Sequence, residues 1–151
     1  MKWCVHIAVL YMNMTIDEKI DHYKETLGIF EDPLERYSYL MEQGEVGNTF
    51  PEEFRIDEFK VSGCVSQVWL VPKFHDGILQ FMCDSDAVIT KGVVKVLCDI
   101  YGGWVPWQVT NNTRDVTEEL NFGNILSVNR RNGAYNMIKK IKEYAEQCRT
   151  S

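Results

Sequence analysis

The sequence predicts an α+β domain: a small antiparallel sheet, made of a β-hairpin plus a short third strand, covered on one face by helices. Two apolar runs, 65–71 and 78–83, flank Asp76-Gly77, a dipeptide that favours the two-residue turn of a hairpin. Segments with apolar residues three and four apart precede and follow that hairpin, the spacing of helices with one buried face. The composition suits such a domain: of 151 residues, 45% are hydrophobic and 25% charged. A chain of this length buries roughly 70% of its unfolded surface and needs neither disulfide nor metal to fold.

Residues 1–14 are read as an N-terminal extension, and a single domain is placed at 15–149. Lys2 and the apolar stretch after it superficially resemble a signal peptide, but the stretch contains His6 and lacks a small-residue cleavage site before Asp17 and Glu18. It is also shorter than the ~20 residues of a membrane span. Met12 and Met14 are alternative starts, and Cys4 and His6 are left outside any site.

The domain opens with a helix over 15–27, where Thr15 and Glu18 form a capping box and Ile16, Ile20, Tyr23 and Leu27 share one face. Gly28 is expected to end it. Asp32 caps a second helix with Pro33 in its first turn, an apolar stripe of Leu34, Tyr37, Leu40 and Met41, and Gly44 as its stop. The acid-rich stretch 44–60 reads as a solvated surface loop with a short helical turn after Pro51. The first hairpin strand is expected to stop at Pro72 or to lie at an edge there. Asp84, Ser85 and Asp86 are suited to capping the helix that follows, over 87–101, whose apolar residues surround it and mark it as the central buried helix. Pro106 falls in the first turn of a short helix, 111–114 is turn-like, 116–120 is helical and Phe122 is an apolar anchor. A loop is expected over 124–132, then a last helix over 132–147 striped by Ala134, Ile138, Ile141 and Ala145.

The net charge is −6, which argues against nucleic acid as a general partner. No membrane association is expected. Five cysteines (Cys4, Cys64, Cys83, Cys98 and Cys148) at long spacings with no C-x-x-C are not a disulfide framework, and point to a reducing, cytoplasmic setting. Cys64, His75, Cys83 and Cys98 match no metal-ligand spacing, so no metal is expected.

The stretch V-S-G-C-V-S-Q-V-W-L concentrates the chemistry. Gly63 lets the chain bend beside Cys64, just before the first strand, and lets another molecule approach. On residue types alone, Cys64 is open to two readings: a small core residue or a nucleophile.

Three segments together carry a resemblance. G-C-V-S-Q-V-W-L from Gly63, C-D-S-D-A-V-I-T-K-G from Cys83 and N-R-R-N-G-A-Y-N-M-I from Asn129 look like the three signatures of the SufE/CsdE family of sulfur-acceptor proteins. The resemblance spans 16–146. Ala134 stands where the family usually has leucine, and Val105-Pro106 where it has T-P. Carried over, the resemblance implies that Cys64 is the sulfur-accepting cysteine. Gly63, Ser66, Gln67, Asp84, Asp86, Lys91 and Arg130 then support its loop or meet a partner, with helix capping an alternative role for Asp84 and Asp86. The implied partners are a SufS/CsdA-type cysteine desulfurase, which holds its own pyridoxal phosphate, and a SufB-containing iron–sulfur scaffold. The chain itself is expected to carry no cofactor and to act as co-substrate and activator rather than as an enzyme.

Accepting sulfur requires a thiolate, and an ordinary cysteine is roughly a tenth ionised near pH 7.5. Two other readings compete: a thiol redox protein built on Cys64, with Cys83 as the candidate resolving thiol, and an interaction domain with inert cysteines.

Overall fold

The computed structural model describes residues 14–47 and 49–149. Apart from Met14, the expected extension lies outside the described residues, with Cys4 and His6.

Helix α1 (Ile16–Ile29) starts from the expected capping box: Thr15 Oγ1 accepts from the Glu18 N–H at 3.1 Å, and Glu18 Oε1 accepts from the Thr15 N–H at 3.4 Å. Gly28 does not end it. Nothing lies within 4 Å of the place a Gly28 side chain would occupy, and the helix runs one residue further. Helix α2 (Pro33–Gly44) is capped by Asp32, which accepts from the Leu34 N–H at 2.9 Å. It ends against the backbone of the central helix α3 (Val88–Tyr101). A Cβ at Gly44 would sit 2.9 Å from the Gly92 nitrogen, and one at Gly92 would overlap the Leu40 carbonyl. Glycine at 92 thus allows α2 and α3 to touch backbone to backbone.

Strands β1 (Val68–His75) and β2 (Ile78–Ser85) pair antiparallel from Val68 opposite Ser85 to His75 opposite Ile78. Asp76 (φ 51°) and Gly77 (φ 79°) make the left-handed turn that the dipeptide predicts. Pro72 neither ends nor interrupts β1; it lies opposite Phe81. In a two-stranded sheet each strand is an edge, where a missing N–H is tolerated. The predicted third strand is reduced to two isolated bridges, Lys60 to Trp69 and Leu79 to Trp104, because the chain turns at Gly63 and Gly103 on either side.

Helices cover one face of the hairpin, as expected, and the other face is covered as well. Val68, Leu70, Leu79 and Cys83 point into the main core with the helices. On the other face Trp69 and Val71 pack with Phe50, Phe54, Phe59 and Met82. Phe50, Phe54 and Phe59 come from the stretch read as a solvated loop. It forms two 3₁₀ turns, Glu52–Phe54 and Asp57–Phe59, that expose their acids and turn their aromatic rings inward.

Three short helices follow: α4 (Pro106–Asn111), α5 (Val116–Glu119) and α6 (Phe122–Ile125). The last helix, α7, is Val128–Arg149 and begins four residues before the expected start. The residue just before it, Ser127, accepts from the Arg130 N–H at 3.3 Å, the geometry of an N-cap. The polar run N-R-R-N is therefore its first turn rather than a loop. Tyr144 donates to the Leu70 carbonyl at 3.1 Å and ties α7 to β1.

Candidate functional site

Cys64 lies on the loop between the Asp57–Phe59 turn and β1, half-buried against α7. Its thiol donates to the Gly133 carbonyl at 3.6 Å. Beside it is a cavity of about 200 Å³ lined by Val65, Ser66, Thr90, Arg130, Gly133 and Met137, among others. Ser66 comes from the loop, Thr90 from the first turn of α3, and Arg130 from the first turn of α7. The three signature segments therefore meet around one thiol.

Both ends of the loop are held. At one end Gly63 has φ +80°, and Asn136 on α7 donates to the Gly63 carbonyl at 3.1 Å. A side chain on Gly63 would run into the Asn136 amide as well as strain the backbone. At the other end the Gln67 N–H donates to Asp86 at 3.0 Å, and Ser85 donates to the Gln67 carbonyl at 2.8 Å. Between these anchors, Val65 is 80% exposed. Val88 and Val128, close in sequence to the cavity-lining Thr90 and Asn129, are 58% and 61% exposed.

The electrostatics of the thiol are set by burial, which pushes the Cys64 thiol above its ordinary range. Across the cavity, Arg130 donates to Thr90 Oγ1 at 3.1 Å. That bond spends one guanidinium nitrogen and orients the group from α7 toward α3.

Of the residues singled out in the sequence, Cys64, Ser66 and Arg130 line the cavity, while Gly63, Gln67 and Asp86 shape the loop. Asp84 and Lys91 do not join them. Asp84 lies opposite Trp69, so strand alternation turns it to the other face of the hairpin. There its buried carboxylate meets Arg55 at 2.5 Å and Lys91 at 3.4 Å. Burial opposes its ionisation, but the Ser85 backbone, Arg55 and Lys91 outweigh that and hold Asp84 below its ordinary range. Arg55 in turn lies 5.1 Å from the Trp69 ring and 5.2 Å from the Phe50 ring. Neither Asp84 nor Asp86 caps α3. The N-cap position is Ala87, and Ser85 Oγ accepts the Ala87 N–H at 3.3 Å.

The sequence reading missed Thr90, Asn136 and Met137. Asn136 and Met137 follow Gly133 by three and four residues, the spacing of one helix face, and that signal was there to be used. It goes unused because the stripe of that helix is drawn through Ala134, Ile138, Ile141 and Ala145, beside the face that carries Gly133, Asn136 and Met137. Cys83 lines a different cavity and hydrogen-bonds Cys98. Among the described residues, no three His, Cys, Asp or Glu side chains converge to hold a metal ion. No helix among them is long and apolar enough to cross a membrane.

Comparisons with known proteins bear on the family and the fold. Residues 21–145 match the family described as "SufE: Fe-S metabolism associated domain". An uncharacterized SufE-like protein of Synechocystis is 32% identical over 133 residues, covering 88% of this chain and 84% of its own. One from Rhizobium meliloti is 36% identical over 137 residues, covering 87% and 95%. SufE-like protein 1, chloroplastic/mitochondrial, of Arabidopsis thaliana is 31% identical over 134 residues, 86% of this chain but 36% of that longer protein. The solution structure of a hypothetical protein from Thermus thermophilus superposes with a TM-score of 0.73 at 15% identity, covering 88% of this chain and 97% of that one. That likeness bears on the fold.

Proposed function

The chain belongs to the SufE family, and from that premise we propose that it accepts sulfur on Cys64 from the persulfide of a pyridoxal-phosphate-dependent cysteine desulfurase. It stimulates that enzyme by clearing its sulfur, and passes the sulfur to an iron–sulfur assembly scaffold in the cytoplasm. The observation that carries this reading is the convergence of three distant segments on a cavity whose one thiol, among the described residues, is Cys64.

The Cys64 thiolate attacks the outer sulfur of the partner's persulfide. A new S–S bond forms at Cys64, the partner's S–S bond breaks, and the partner's cysteine leaves as thiolate. The cavity gives the added sulfur a place out of bulk water. Arg130 stands on its wall, where a cation favours a negatively charged sulfur. The exposed Val65, Val88 and Val128 suit a protein partner that covers the cavity mouth. Burial holds Cys64 largely protonated at neutral pH, so the thiol is quiet until a partner docks and alters its surroundings. Gly63 allows the loop to swing Cys64 outward when it does. The alternative, a redox cycle at Cys64, finds no second cysteine among the described residues that line its cavity.

Incubation with a competent desulfurase and cysteine, followed by intact mass, tests the reading. The expected result is a gain of one sulfur that maps to Cys64 and is abolished in Cys64→Ser, together with loss of desulfurase stimulation by that variant. No gain with an active desulfurase, or full stimulation by Cys64→Ser, overturns it.

A further inference from the structure

A second cavity, of about 720 Å³, opens between β2, α3 and the chain after α2. Among its lining residues are Cys83, Lys95, Cys98 and Asp99. Cys83 is fixed in the sheet opposite Leu70, and Cys98 lies in the last turn of α3. Their side chains hydrogen-bond to each other, and neither residue is more than 8% exposed. Sulfur acceptance at Cys64 uses neither of them.

Two thiols in contact share their protons unequally. Burial pushes the Cys98 thiol well up, and the neighbouring Cys83 sulfur pushes it further. Cys83 is held below its ordinary range by the hydrogen bond from Cys98, which outweighs burial, with help from Lys95 and Lys91 against the opposing charge of Asp84. The pair thus consists of a sulfur that accepts and ionises the more readily, Cys83, and a thiol that donates, Cys98.

We propose that Cys83 and Cys98 form a second reactive site, a dithiol that a small hydroperoxide entering this cavity oxidises to a disulfide. In the first step the Cys83 thiolate attacks one peroxide oxygen. The S–O bond forms, the O–O bond breaks, and the departing hydroxide takes a proton from solvent to leave as water. Cys83 is now a sulfenic acid, oxidised by two electrons. In the second step the Cys98 sulfur attacks the Cys83 sulfur. The S–S bond forms, the S–O bond breaks, and the hydroxyl leaves as water with the Cys98 proton. The sum is one dithiol and one hydrogen peroxide giving one disulfide and two waters. The groups required are a thiolate, an adjacent thiol and a cavity that admits a molecule little larger than water. The site stands whether or not Cys64 accepts sulfur.

The test uses the full chain carrying Cys64→Ser, exposed to hydrogen peroxide, alkylated and peptide-mapped without reduction. The expected result is loss of two free thiols, with the Cys83 and Cys98 peptides linked at a mass two hydrogens lower. In a further Cys98→Ser variant, whose hydroxyl can still donate to Cys83 but cannot form a disulfide, checked for an unchanged melting temperature, the expected product is a sulfenic acid at Cys83 that dimedone traps. A linkage between other cysteines, or a peroxide-treated chain in which Cys83 and Cys98 remain free or are over-oxidised without linking, overturns the proposal.

Discussion

Cys64 and Cys83 are both half or more buried, both precede or end the same hairpin, and differ in almost everything that governs a thiol. Cys64 sits on a loop, donates to a backbone carbonyl and is pushed up by burial alone. Cys83 sits in a strand, accepts from another thiol and is held down by it, with Lys95 nearby. A loop can carry its sulfur to a partner; a strand paired on the core cannot move its sulfur without breaking the sheet. The first placement suits group transfer between proteins, and the second suits chemistry completed within one chain. Sequence spacing does not separate them, because the difference lies in what each cysteine touches across the fold.

The comparison is most easily broken at Gly63. Valine there must hold φ near +80° and displace Asn136. The strain costs on the order of 1–3 kcal/mol, within the margin of a domain this size, so the chain still folds. Sulfur acceptance by Gly63→Val is expected to fall by roughly a factor of ten or more, since displaced reacting atoms lose the benefit of alignment. Oxidative linking of Cys83 to Cys98 is expected to be unchanged. Wild-type sulfur transfer in Gly63→Val would remove the hinge from the account of Cys64.

The contrast in protonation makes a second prediction. Burial raises the Cys64 pKa, so its alkylation by iodoacetamide is expected to keep rising with pH beyond the point, about 8.5, where an ordinary cysteine levels off. Below its pKa the rate changes about tenfold per pH unit, following the thiolate. Cys83 has the opposite sign, and its reaction with peroxide is expected to level off below that point. Site-resolved rates from peptide mapping between pH 6 and 10 measure both. Coincident profiles would mean that the two environments do not tune their thiols.

Much of the fold was legible because its signals are local. The Asp76-Gly77 turn, the Thr15–Glu18 capping box and the Asp32 cap with Pro33 each fix backbone within a few residues. Features that depend on distant partners were not legible. Phe50, Phe54 and Phe59 are scattered among acids, and only Trp69 and Val71 on the far face of the hairpin make them a core. Asp84 reads as a cap until strand alternation turns it toward Arg55. The start of α7 was readable from Ser127, but the following polar run and Gly133 masked it. At the site, the position of Cys64 was legible from Gly63 and the hairpin. Its contacts with Gly133, Asn136 and the Thr90–Arg130 pair join segments far apart in sequence, which no local spacing encodes.

The smallest expected effect is the most discriminating one. Asn136 holds the loop through one hydrogen bond to the Gly63 carbonyl and leaves the thiol itself alone. Asn136→Ala removes that bond at a cost of about 1 kcal/mol and restores backbone freedom at the hinge. If shelter of Cys64 is a property of the loop, its alkylation is expected to speed up severalfold, by up to the factor of about five that 1 kcal/mol permits. The Cys83 and Cys98 rates stay as they were, because the sheet and α3 hold them. If shelter comes instead from the cavity walls, Asn136→Ala changes melting temperature slightly and leaves Cys64 alkylation unchanged. The two sites would then differ in their neighbours but not in mobility, and the sulfur would have to be reached by a partner entering the cavity rather than by a loop coming out of it.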